Sequence, residues 1–138
     1  CNSVHYFYDL VIKKIEIPWL NMIQIVSSKM LNLNYTKPLI LGGYITTQKK
    51  VYYRYLPESV YLSKSENRII ESIIEEIKIK NSLDKNSEKT IKNIIKNYDD
   101  SIDSVLLGCT ELPIVIDEDY FSGKKAISSI DEYINYII

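Results

Sequence analysis

Apolar residues recur along this chain in two rhythms, one of helices and one of buried strands. Ile69, Ile70, Ile73, Ile74 and Ile77 form one stripe at helical spacing. Ahead of it, Ser63-Lys64-Ser65-Glu66 has the form of a capping box, in which a hydroxyl and a carboxylate satisfy the first backbone donors. The polar LDKNSEK then turns the chain into a second amphipathic run, Ile91, Ile94, Ile95 and Tyr98, which leads to Asp99-Asp100. A helix is also predicted over Ile23 to Leu31 and another over Ile130 to Ile138. From His5 to Glu16, the positions Phe7, Leu10, Val11 and Ile15 fall near the same spacing, with Pro18 closing the pattern.

Between these helical runs lie short, unbroken apolar stretches. IPWLNM, KPLILGG (closing on Gly42 and Gly43) and Ser104 to Leu107 read as buried strands; KAIS reads as a last short one, after the loop DEDYFSG. Strand alternating with helix predicts an α/β fold, a parallel sheet flanked by helices. The cluster VYYRYLPESVYL, with its tyrosines and Arg54, reads as core and surface packing. Glu76 and Lys80 are spaced for an i,i+4 ion pair.

Composition narrows the function classes. The chain has 138 residues, enough for one packed domain or for one lobe and part of another. Charged residues make up 25% and the formal net charge is -1, so there is no basic field for a nucleic acid. IPWLNMIQIV is interrupted by Asn21 and Gln24 before it could span a bilayer, and no basic-then-apolar leader opens the chain. A soluble, cytoplasmic protein without a membrane partner is expected. Two cysteines form no disulfide framework and read as free thiols. Neither zinc-ligand spacing nor a phosphate loop is present, so no metal or cofactor is expected. The sequence opens on Cys1 instead of Met and is expected to be a fragment.

The candidate chemistry sits in SVLLGCTELPI, Ser104 to Ile114. Ligands of open α/β sheets bind beyond the carboxyl ends of strands, and Cys109 falls at such an end. Backbone N–H groups and the positive end of a following helical turn are expected to favour its thiolate. Gly108 lets backbone approach a ligand, Thr110 offers a hydroxyl, and Glu111 is placed to orient a ligand's amine or a neighbouring group. A free Cys is commonly a small buried hydrophobe; the adjoining Thr-Glu pair is what argues for a site. His5, alone at a helix start, reads as a cap or a satisfied surface group.

LGCTELP resembles the second cysteine motif of the aspartate/glutamate racemase family, and CNSVH resembles the first. The IPWLN after CNSVH, the LILGG strand between the motifs and their order agree. Glu111 stands where cell-wall glutamate racemases carry His, which places the resemblance nearer the aspartate racemase branch. Ser3 replaces the usual Thr, Ser128 stands where the family carries Asp, and the family has a Gly-rich first strand and loop before its first motif.

The resemblance implies a two-lobed, pseudo-symmetric fold, with residues 1–34 in the first lobe, 35–128 as the second α/β lobe and 129–138 as a C-terminal helix returning to the first. It implies a cofactor-independent racemase of aspartate or glutamate, homodimeric at full length. Cys1 and Cys109 would act as acid and base on opposite faces of Cα. Asn2, Ser3 and Thr110 would hold the substrate's carboxylate and amine. Gly42 and Gly43 would line the cleft, with Thr46 or Thr47 nearby. Rivals are a hydantoin racemase, maleate isomerase or arylmalonate decarboxylase of the same superfamily, and a catalytically silent binding protein. Two thiols favour racemisation over the decarboxylase, and Glu111 argues against the hydantoin type. The 138-residue chain by itself is expected to be inactive.

Overall fold

The computed structural model describes residues 2–138; Cys1 lies outside the described residues. Its helices are α1 (Tyr8–Val11), α2 (Met22–Asn32), α3 (Tyr44–Gln48), α4 (Lys64–Lys80), α5 (Lys85–Lys96) and α6 (Ser129–Ile137). The strands β1 (Pro38–Leu41), β2 (Val60–Tyr61), β3 (Ser104–Leu107) and β4 (Lys125–Ser128) form a four-stranded sheet in the order β2-β1-β3-β4. Every pairing is parallel, with Leu39 beside Val105 and Leu41 beside Leu107.

Side chains alternate across a strand, and here both faces are covered. Leu39, Leu41, Val105 and Leu107 pack with Ile70, Ile73, Ile77, Ile91 and Ile95 of α4 and α5. Ile40, Leu106 and Ile127 face the other way, onto Met22, Ile23, Val26 and Met30 of α2 and onto Tyr52 and Leu56. Burial on two faces explains why β1 and β3 read as continuous apolar runs. α6 joins that second layer, where Ile130 and Tyr133 pack against the cluster.

Caps set the helix boundaries. The predicted box at α4 is formed, with Ser63 Oγ accepting from the Glu66 N–H at 3.3 Å and Glu66 Oε2 accepting from the Ser63 N–H at 3.1 Å. Asp84 accepts from Ser87 N–H at 2.8 Å to start α5. Asn21 starts α2 by accepting from the N–H groups of Ile23 and Gln24. The Glu76–Lys80 pair is made at 3.4 Å.

Three expectations need correction. IPWLNM is not a strand: Ile17 is 74% exposed and Leu20 41%, and the run pairs with no strand of the sheet and ends in the Asn21 cap. His5 to Glu16 is not one helix but a 3-10 segment (Asn2–Phe7), the single turn of α1 and a second 3-10 segment (Ile12–Lys14). Leu10 is 69% exposed, so tertiary packing does not hold a longer α-helix together there. Ile69 belongs to the surface, and the buried stripe of α4 is Ile70, Ile73, Ile74 and Ile77. The short α3 and β2 had no clear periodic signal.

Strand order places the functional end of the sheet. From β1 the chain passes to β2 on one side and then returns to β3 on the other, so the carboxyl ends of β1 and β3 form the switch point at which open α/β sheets bind ligands. The chain leaves the two ends as Gly42-Gly43 and Gly108-Cys109. The Gly108 N–H donates to the Leu41 carbonyl at 2.6 Å. A Cβ on Gly42 would lie 2.9 Å from the Gly108 oxygen, and one on Gly108 would lie 3.0 Å from the Leu41 oxygen. Only glycine lets the two backbones come this close.

Candidate active site

Beyond this switch point opens a cleft of about 520 Å3. Gly108, Cys109, Thr110 and Glu111 form its floor, Asn2 and Ser3 one side, and Glu71, Glu75 and Lys78 of α4 another. Residues from the first motif and from the second thus reach the same cleft. Gly43 lines it as well, whereas Gly42 is buried beneath the strand contact.

Cys109 is half-buried, and its Sγ donates to Glu111 Oε2 at 2.6 Å. Thr110 Oγ1 donates to the same oxygen at 3.0 Å. Burial pushes the thiol up to about 12, and the Glu111 carboxylate pushes it further in that direction. The expected bias toward thiolate is therefore overturned. After Cys109 comes only the 3-10 turn Leu112–Ile114, too short to offer a helix's positive end, and the nearest charge is negative. Burial raises the Glu111 carboxyl, but bonds from Cys109 and Thr110 and the charge of Lys78 outweigh it and hold the group below the usual range.

The helical wall was missed in the sequence, where of the charged residues of α4 beyond its capping box only the Glu76–Lys80 spacing stood out. Lys78 Nζ pairs with Glu75 Oε1 at 2.6 Å, and that bond, reinforced by the charges of Glu111 and Cys109, holds its ammonium above the ordinary lysine range. Glu71 accepts from the Tyr44 N–H at 2.7 Å, fixing the start of α3. The signal lay in the spacing: Glu71, Glu75 and Lys78 are three and four residues apart, hence on one face.

Asn2 is almost fully buried, its Nδ2 donating to Ser129 Oγ at 2.9 Å and its Oδ1 accepting from the Tyr52 hydroxyl. Ser3 Oγ and Thr46 Oγ1 share a hydrogen bond of 3.1 Å. Thr46 is itself buried against both strand-end glycines, so it reaches the cleft through Ser3. The single Thr47 hydroxyl proton is shared between the Gly43 carbonyl, at 3.1 Å, and Asn67 Oδ1, while Asn67 Nδ2 donates to the Gly42 carbonyl at 3.0 Å. Asn67, a buried amide within α4, is thus a support of the Gly42-Gly43 turn that sequence reading passed over.

Two further residues take up other positions. His5 packs beside Trp19 at a ring separation of 5.4 Å and lines a different cavity, and burial pulls its imidazole down to about 4. Ser128 accepts from the Asp131 N–H at 3.2 Å and caps α6. Among the described residues, no group of His, Cys, Asp and Glu is arranged to hold a metal ion, and no helix is long and apolar enough to cross a membrane.

The chain is similar in structure to an aspartate racemase homologue from Pyrococcus horikoshii OT3, with a TM-score of 0.76 and 26% identity over 99% of the chain. It is similar to the Picrophilus torridus aspartate racemase, with a TM-score of 0.74 and 24% identity over 94% of the chain. A candidate Asp/Glu racemase from Yersinia pestis gives a TM-score of 0.84 at 16% identity, over 99% of the chain. The chain spans 62%, 54% and 61% of the lengths of these three proteins. No curated protein sequence matches it. The pattern of the Asp/Glu/hydantoin racemase family matches residues 1–136. That match covers nearly the whole chain, and on it the chain belongs to the Asp/Glu/hydantoin racemase family.

Proposed function

We propose that the protein is a cofactor-independent racemase of an acidic amino acid, with Cys109 and Cys1 as the proton-transfer pair. The observation that carries this reading is the meeting of Asn2 and Ser3 with Cys109, Thr110 and Glu111 in one cleft at the sheet's switch point. Inversion at Cα needs a base on one face and an acid on the other. A thiol held up to about 12 is protonated at neutral pH, which makes Cys109 the acid of the resting site. In the opposite direction it must begin as a thiolate. The ammonium group of a bound amino acid draws the Glu111 carboxylate and lowers the thiol's pKa by its own charge, so substrate binding favours release of the Cys109 proton to solvent before the exchange at Cα.

Asn2, Ser3 and Thr110 are proposed to contact the substrate's carboxylate and amine, with Gly43 shaping the backbone floor. Thr46 acts through its bond to Ser3, and Gly42 through the strand contact. Lys78 supplies the positive charge an acidic side chain requires. The chain spans 54% to 62% of the lengths of its structural neighbours, and the remainder of such a fold is proposed to complete the walls that exclude water from Cys109. The 138-residue chain alone is therefore expected to be inactive, and the intact gene product is expected to act as a cytoplasmic homodimer.

The test follows deuterium entry at Cα and loss of optical rotation for D- and L-aspartate and glutamate. Exchange by the intact protein, abolished in Cys109→Ser, is the expected result. Normal exchange in Cys109→Ser, or no exchange by the intact protein, would remove the two-thiol proposal.

A further inference from the structure

The carbonyl of Leu107, two residues before Cys109, can only accept a hydrogen bond. The hydroxyl of fully buried Ser129 donates to it at 2.7 Å, which commits that hydroxyl's single proton. Toward Asn2, Ser129 can then only accept, and Asn2 Nδ2 donates to it at 2.9 Å. This fixes the orientation of the Asn2 amide. Its oxygen must face the other way, and there it meets the Tyr52 hydroxyl as donor. Tyr52 is wholly buried, and burial drives its phenol far above the ordinary range, so it remains a donor at any working pH.

One carbonyl of β3 thus dictates the polarity of every bond as far as Asn2, the residue next to Cys1. We propose that Ser129 and Tyr52 are positioning residues, which hold Asn2, the residue following Cys1 in sequence, in register with the strand that carries Cys109. This rests on the two-thiol reading above. The fixed amide keeps one N–H uncommitted by these bonds, and Asn2 lines the cleft, so Ser129 and Tyr52 also determine which polar group Asn2 presents there. Neither residue belongs to a cysteine motif. Tyr52 comes from the turn after α3 and Ser129 from the start of α6, 127 positions from Asn2.

The experiment compares Ser129→Ala, Tyr52→Phe, Asn2→Ala and the Ser129→Ala/Asn2→Ala pair in the intact protein. Racemisation kcat and KM are measured at a temperature where each variant is folded by circular dichroism. Expected are a fall in kcat of about tenfold or more, a KM change under about threefold, and a pair no worse than Asn2→Ala alone, as for residues acting through one another. Peptide-resolved alkylation should also change about threefold at Cys1 in both hydroxyl variants, because thiol reactivity depends on its surroundings. Merely structural hydroxyls would lower the melting temperature and leave kcat and the Cys1 rate at wild-type values, which overturns the proposal. Should Ser129→Ala not fold, the near-isosteric Tyr52→Phe decides alone. A silent wild type, or an active Cys109→Ser, overturns this proposal together with the racemase reading. An active wild type with a dead Cys109→Ser and an unaffected Tyr52→Phe overturns this proposal only.

Discussion

Cys109 donates its thiol proton to Glu111 across a 2.6 Å Sγ–Oε2 contact, so the thiol and the carboxylate two residues on share one hydrogen. The pair has a measurable titration. Because the thiol is pushed up to about 12, its thiolate fraction keeps growing through the alkaline range instead of levelling off. A free cysteine levels off above about 8.5. Peptide-resolved iodoacetamide alkylation of Cys109 should therefore rise about tenfold per pH unit up to pH ~10 with no plateau. In Glu111→Gln the negative neighbour is gone, and the profile should move to lower pH by about one unit. A wild-type plateau near pH 8.5 would contradict the pairing.

Lys78 is the cation of the cleft wall, already tied to Glu75 at 2.6 Å. Replacing it by Met keeps the aliphatic stem and removes the charge. KM for the proposed acidic substrate should rise about tenfold, in line with loss of one charge-assisted bond, with far-UV circular dichroism unchanged. An unaltered KM would place substrate recognition elsewhere.

Gly108 sits where an added Cβ would stand 3.0 Å from the Leu41 oxygen, and backbone cannot give way as a flexible side chain can. Gly108→Ala should destabilise by about 2 kcal/mol or more, as overpacking does. Gly43, with nothing within 4 Å of the added carbon, should accept Ala at little loss. Urea midpoints of the two variants test the contrast.

Ile77 is fully buried in the α4 stripe, whereas Ile79, two residues on, is 80% exposed. Truncation to Ala should cost about 3 kcal/mol at Ile77 and within about 0.5 kcal/mol of nothing at Ile79. Equal losses at the two positions, measured by thermal melting, would mean the stripe is misassigned.

The parts of the fold that were legible in the sequence are those whose signal is local. A capping box and an Ile stripe specify α4 by themselves, and β1 and β3 are apolar throughout because both their faces are covered. IPWLNM carries the same apolar signature without the same environment: burial on two faces is a tertiary fact, and in its absence Ile17 lies in solvent. Among the site residues, Cys109, Thr110 and Glu111 are contiguous and stood out together. Lys78 and Asn67 did not, since one belongs to a charged helix face and the other is a lone amide. Their parts become visible only when α4 is laid beside the sheet's switch point. The state of the thiol was misjudged for a related reason. Sequence spacing puts Cys109 at a strand end, but whether a carboxylate or a helix end faces its sulfur depends on the geometry of the next turn.

The wiring of Asn2 to Ser129 has a consequence for how the molecule comes to exist in time. Closing a connection over 127 positions carries one of the largest loop entropies the chain can incur, and distant pairings of this kind slow folding relative to local ones. The α4 and α5 hairpin can form from its own neighbours, whereas the cleft needs both ends of the chain in place. Refolding followed at Tyr52 should lag behind helix formation, and competence to bind should arrive with that last step.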